Sequence, residues 1–143
     1  MDGAIHDAAG PELLAECRTL GGCLTGDAKI TRGYQLPARH IIHAVGPIWY
    51  GGRKGEEEQL ASCYRRAIEL CESNALSSVA FPAISTGAFR FPADRAADIA
   101  VASTVGALST APSLTRIIFC CFSSDSARLH AQALAGVGSP CAD

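Results

Sequence analysis

The chain predicts an α/β fold, and three observations carry that prediction. Continuous apolar runs recur at residues 40–45, 78–84 and 116–122. Between them lie helix-length stretches whose apolar residues return every three or four positions. Gly or Pro marks most of the joins. Runs that are apolar on both faces suit buried strands, and connections of a dozen or more residues suit right-handed crossovers between parallel neighbours. The expected outcome is a mostly parallel sheet with helices on both faces, in which ligands sit beyond the carboxyl ends of the strands. The loops after Val45, Ile84 and Phe122 are therefore the places to look for a site.

Residues 2–9 form a short Ala-rich helix candidate broken at Gly10-Pro11. Pro11 suits the first turn of a second helix, where its missing N–H has no partner to lose. Leu13, Leu14, Cys17 and Leu20 then share one face before Gly21-Gly22 closes it. The polar, Gly-marked stretch 25–33 suits a short edge strand, and residues 40–45 a buried one ended by Gly46-Pro47, with 49–55 as a loop. Glu56, Glu57 and Glu58 favour the positive end of the next helix, where Leu60, Tyr64, Ala67, Ile68 and Cys71 fall at helical spacing. Residues 78–84 read as a strand, 94–108 as a long helix, 116–122 as a third apolar strand and 125–134 as a last helix. Residues 136–143 read as a frayed tail.

With 143 residues, the chain is one domain, long enough for a single core and too short for two. Its 48% hydrophobic residues and mean hydropathy of +0.18 argue against disorder. The 12 Lys and Arg against 14 Asp and Glu leave a net charge of -2, so there is no basic field to grip a nucleic-acid backbone. No run approaches the roughly 20 apolar residues of a membrane span, and Met1-Asp2-Gly3-Ala4 lacks the basic and apolar regions of a signal peptide. A cytoplasmic protein without membrane contact is expected. Of its seven cysteines, Cys63, Cys71, Cys120 and Cys121 lie in apolar patterns where a thiol packs as a small hydrophobe. No CxxC pair occurs, so neither zinc nor a disulfide framework is expected.

Two local features could carry chemistry. Ser85-Thr86-Gly87-Ala88-Phe89 follows an apolar run and precedes a helix, and small residues there let main-chain N–H groups approach a phosphate. Asp2 and His6 form an i, i+4 pair that can address one ligand with a carboxylate and an imidazole. On local pattern alone, an ordinary strand-to-helix turn and a solvated helix start explain them better. His40 and His43 fall on opposite faces of a strand, where packing accounts for them.

Four blocks change that balance. They are Met1-Asp2-Gly3-Ala4-Ile5-His6-Asp7-Ala8-Ala9-Gly10-Pro11-Glu12-Leu13, the stretch from Cys23-Leu24-Thr25-Gly26-Asp27 through Gly33-Tyr34-Gln35-Leu36-Pro37-Ala38, then Ile42-His43-Ala44-Val45-Gly46-Pro47, and Phe81-Pro82-Ala83-Ile84-Ser85-Thr86-Gly87. In this order they resemble consecutive blocks of a macro domain, in the branch of ADP-ribosyl hydrolases and O-acetyl-ADP-ribose deacetylases. The resemblance covers about residues 1–134. It implies a three-layer α/β/α fold that binds ADP-ribose at the carboxyl edge of its sheet. It also implies that the backbone of Ser85, Thr86, Gly87, Ala88 and Phe89 wraps the diphosphate, with Phe89 flanking the distal ribose, Gly3 beside the ligand and Phe122 near the adenine. Asp2 takes the place of the family's catalytic aspartate, which orients or deprotonates a water, and His6 shapes the same pocket. The implied partners are ADP-ribose, O-acetyl-ADP-ribose and mono-ADP-ribosylated protein, with no cofactor and no metal.

The family pattern also runs upstream of the Asp2 block, through a strand with an Asp-Ile-Thr-like adenine contact, a buried strand ending in Asn-Ala-Ala-Asn and a Gly-rich loop. The resemblance therefore implies a sheet lacking its N-terminal strands, including a central one between residues 40–45 and 78–84. Two unpaired edges would then face each other. Unsatisfied buried backbone groups cost about 1–3 kcal/mol each, against a domain stability of about 5–15 kcal/mol. The chain is expected to be barely foldable alone unless the remaining strands close up or another chain supplies the strand. A GTG codon, read as Val within a frame and as Met at a start, would explain Met1; a stop codon immediately upstream would refute that. Arg90 stands where the family commonly has Gly, and a left-handed φ is unfavourable for Arg, so either the loop differs or Arg90 reaches the diphosphate. Two function classes follow: a hydrolase of O-acetyl-ADP-ribose or mono-ADP-ribosyl esters, and a non-catalytic ADP-ribose reader or inactive fragment.

Overall fold

The protein is described by a computed structural model covering residues 2–138. Helices α1 (Asp2–Ala9) and α2 (Pro11–Arg18) meet at Gly10, whose φ of 92° suits glycine. Strand β1 (Ala28–Arg32) then pairs antiparallel with β2 (His40–Ala44), Ala28 opposite Ala44 and Arg32 opposite His40. Helix α3 (Glu56–Ser73) leads to β3 (Ser78–Phe81), and α4 (Ala93–Ala107) with a 3-10 turn (Leu108–Thr110) crosses over to β4 (Arg116–Phe119). β3 and β4 run parallel, Ser78 beside Arg116 and Phe81 beside Phe119. Helix α5 (Ser124–Gly138) completes the described chain.

The elements match the expected order, with shorter strands. β3 stops at Phe81, just before Pro82. β4 ends at Phe119, although the next amide, Cys120 N–H, still donates to the Phe81 carbonyl at 2.7 Å. The early end of β4 corrects one expectation: Cys63 and Cys71 are buried, but Cys120 is exposed and Cys121 half-buried. α5 runs to Gly138, so residues 136–138 are helical and not a tail. A single glycine costs a helix about 1 kcal/mol without ending it. The rest of the expected tail, 139–143, lies outside the described residues.

β2 and β3 share no ladder, so the strands form two separate pairs, β1-β2 and β3-β4. The gap falls where the resemblance omits a central strand. Val45 N–H donates to the Asp27 carbonyl and Gly33 N–H to the Arg39 carbonyl, so odd-numbered residues of β2 bond toward β1 and the even ones, Ile42 and Ala44, face the gap. Helix α3 spans the two pairs. Its Cys63 thiol donates to the Val45 carbonyl beyond β2 at 3.2 Å, and its Tyr64 ring lies 5.0 Å from Phe81 on β3. Leu60, Tyr64, Ala67, Ile68 and Cys71 of α3 are buried, and α4 meets them through Ala96 and Ala100, small side chains that allow close helix approach. Among the described residues no helix is long and apolar enough to cross a membrane.

Candidate functional site

The loop after β3 is built around its own carbonyls. Thr86 donates to the Ala83 carbonyl through both its N–H (3.3 Å) and its hydroxyl (2.8 Å), Arg90 N–H donates to Gly87, and Phe91 N–H closes onto the Ser85 carbonyl at 2.9 Å. These bonds coil residues 84–91 and place Ser85 at φ 67° and Arg90 at φ 64°. Within the coil, the N–H groups of Ser85, Gly87, Ala88 and Phe89 have no acceptor among the described residues. The Ser85 hydroxyl is buried and likewise unpartnered. Unpartnered N–H groups in consecutive turn residues make a concavity suited to an anion.

Arg90 adopts the left-handed conformation, and its exposed side chain forms no ion pair or hydrogen bond among the described residues. The Gly87-to-Arg90 turn and the closure at Phe91 impose the backbone angle.

A second wall comes from the loop after β2. A Cβ at Gly46 would run into the Ser85 hydroxyl and Ile84, so only glycine lets the two loops touch. Trp49 N–H donates to the Phe89 carbonyl at 2.9 Å, and the Trp49 ring packs 4.8 Å from Phe91. Glu56, the first residue of α3 and only 1% exposed, turns its carboxylate back on this loop. It accepts N–H bonds from Tyr50 (2.8 Å), Gly52 (2.9 Å) and Lys54 (2.6 Å). Burial pushes the Glu56 carboxyl up, but the N–H bonds from Tyr50, Gly52, its own backbone and Lys54 outweigh that and hold it at about 2. Sequence reasoning read Glu56 only as a helix-dipole partner and missed Gly46 and Trp49; the Gly-Pro after a strand was their one local signal.

Asp2 and His6 meet as expected, Oδ1 to Nε2 at 3.6 Å, with the Asp2 side chain 86% exposed. The space around Gly3 is open. Asp2 and His6 both bear on His43 of β2, whose Nε2 lies 2.9 Å from the Thr31 hydroxyl and 3.9 Å from the Cys17 thiol. Burial lowers the His43 pKa, Asp2 opposes that, His6 adds to it and Glu16 opposes it. His43 precedes Gly46 by three residues, about 10 Å along an extended chain. Gly46, in turn, is the residue that touches Ser85 of the 84–91 loop. Phe122 stands apart, 101% exposed, with no described residue covering it.

Two cavities lie elsewhere. One of about 540 Å³ runs between Thr25-Gly26-Asp27 and the start of α3, and one of about 520 Å³ sits in the β1–β2 hairpin around Arg32, Tyr34 and Arg39. Neither contains Asp2, His6 or residues 85–89. Among the described residues no group of three or more His, Cys, Asp or Glu is placed to hold a metal ion.

Residues 1–100 match the family model of the macro domain. A macro domain-containing protein of Mesorhizobium japonicum is 56% identical over 137 residues, which covers 96% of this chain and 78% of the relative. An O-acetyl-ADP-ribose deacetylase of Klebsiella pneumoniae is 43% identical over 94% of this chain and 79% of its own length. Among solved structures, an Oceanobacillus iheyensis macrodomain variant with ADPR superposes with a TM-score of 0.88 at 41% identity, covering 95% of this chain and 76% of that one.

Proposed function

The chain belongs to the macro domain family, and from that premise we propose that it binds ADP-ribose and hydrolyses O-acetyl-ADP-ribose or mono-ADP-ribosyl esters on protein carboxylates, in the cytoplasm. One observation carries the binding half: the N–H groups of Ser85, Gly87, Ala88 and Phe89 have no acceptor among the described residues, in a loop closed by its own hydrogen bonds and by the Trp49 N–H on Phe89. A diphosphate supplies the missing acceptors and the negative charge such a loop favours. Phe89, 39% exposed, then offers its ring to a ribose. The Oceanobacillus neighbour with ADPR and the name of the Klebsiella relative support this ligand class.

In the hydrolytic step, the carboxylate of Asp2 accepts a proton from a water as its oxygen attacks the acyl carbon. The ester C–O bond breaks and Asp2 returns that proton to the leaving ribose oxygen, giving ADP-ribose and the free carboxylic acid. His6, beside Asp2, orients the carboxylate and shapes the ribose end of the pocket. Proton transfer by a positioned group contributes about 100-fold to 10,000-fold. Asp2→Ala should therefore abolish release of acetate from O-acetyl-ADP-ribose while calorimetry still detects ADP-ribose binding. Retained turnover would remove Asp2 from the mechanism. Running the assay in parallel on a protein esterified with ADP-ribose on glutamate separates the two substrates.

A second reading has its own observation. Asp2 is 86% exposed, where a carboxylate is hydrated and less able to single out one water. A non-catalytic ADP-ribose reader keeps the loop and lacks the chemistry; binding without turnover of either substrate selects it, and no binding at all leaves an inactive fragment.

A further inference from the structure

Glu56 stands at the end of a chain of contacts that leads into the 84–91 loop. Its carboxylate gathers the N–H groups of Tyr50, Gly52 and Lys54, which draws residues 50–54 into one turn around a single buried charge. Gly52 within that turn packs on Trp49: a Cβ there would lie 2.8 Å from Trp49 Cη2, at a φ of 84°. Trp49 in turn holds the Phe89 carbonyl through its N–H and backs Phe91 with its ring. Arg95 of α4 completes the clamp, its guanidinium 5.8 Å from the Trp49 ring and 3.0 Å from Glu57 of α3. Two of the four unpartnered amides, Ala88 and Phe89, lie on the stretch whose carbonyl Trp49 holds.

We propose that Glu56 is a positioning residue for anion binding: by fixing the 50–54 turn it sets Trp49, and through Trp49 the carbonyl of Phe89 and hence the direction in which the 85–89 amides point. This rests on the reading of those amides as the diphosphate cradle. Glu56 acts at a distance and touches no ligand. Its two oxygens serve three N–H donors, a task glutamine cannot perform because its amide nitrogen would oppose at least one of them. A helix-dipole role alone would leave the loop indifferent to the change.

The test uses Glu56→Gln and, from the other end of the relay, Gly52→Ala, which leaves α3 and the carboxylate intact. Amide hydrogen exchange and the emission of Trp49, the only tryptophan in the chain, are followed without ligand, and ADP-ribose affinity by calorimetry. Both variants should speed exchange at Trp49 and at Thr86, Arg90 and Phe91, the loop amides that are hydrogen-bonded, shift the Trp49 emission and weaken ADP-ribose binding at least tenfold, with exchange in the centres of α3 and α4 unchanged. Unchanged exchange at Thr86, Arg90 and Phe91 in both variants overturns the proposal. If the wild-type protein does not bind ADP-ribose, the ligand reading fails on its own, while the exchange data still decide whether Glu56 sets the loop. Equal loosening of α3 and α4 together with the loop would reduce Glu56 to a general structural role and overturn it as well.

Discussion

Single residues settle how close the two loops come and at what cost. Gly46 permits contact with Ser85, and Arg90 occupies a conformation that costs an L-residue about 1–2 kcal/mol. Glycine there would relieve the strain but gain freedom in the unfolded chain worth about 0.5–1 kcal/mol. Arg90→Gly should therefore leave stability unchanged or raise it by up to about 1.5 kcal/mol in urea unfolding. With no partner for its side chain among the described residues, ADP-ribose affinity should hold. A loss of affinity would mean that the guanidinium reaches the diphosphate. Position 90 was legible as a departure from the family pattern, but not its backbone angle, because that angle is imposed by the hydrogen bonds that the Arg90 and Phe91 N–H groups donate to the Gly87 and Ser85 carbonyls, which sequence does not display.

At the scale of elements, the helices were the most legible part. The apolar spacing of Leu60, Tyr64, Ala67, Ile68 and Cys71 marks the face that α3 buries, since a helix repeats its own period whatever it packs against. The start of α3 holds more than its dipole. The Glu56 carboxyl is held at about 2, below its ordinary 4.5, so its ionised form favours the fold. Stability from a depressed carboxyl is present in full above the unfolded value and is lost as pH falls toward the folded one. Trp49 emission should therefore report loosening of the 46–55 loop between about pH 4.5 and about pH 2, and Glu56→Gln should lack that dependence. An identical acid profile in the variant would assign the transition to other carboxylates. Strand ends were less legible than helices, because a strand stops where its partner's donors and acceptors run out, as at Phe81 and Phe119.

The whole molecule is organised around an absence of pairing. β1-β2 and β3-β4 are held by α3 and by the touch of Gly46 on Ser85, with no hydrogen bonds between β2 and β3. Open edges of this kind template an added strand and expose backbone N–H groups to solvent. Amide exchange should thus be faster at Ile42, Ala44 and Ala80, which face the gap, than at Ile41, His43 and Val79, which face their partners. Equal protection on both sides would mean that the strands close up in solution. The order of elements and the helix faces follow from the sequence by itself, because periodicity is a local property, whereas the loop after β3 stood out only through the blocks that resemble the macro domain family. Only tertiary structure decided that Trp49 and Glu56 belong to that loop, that Phe122 stands uncovered and that Cys120 lies at the surface, since each depends on which distant atoms fill the space around it.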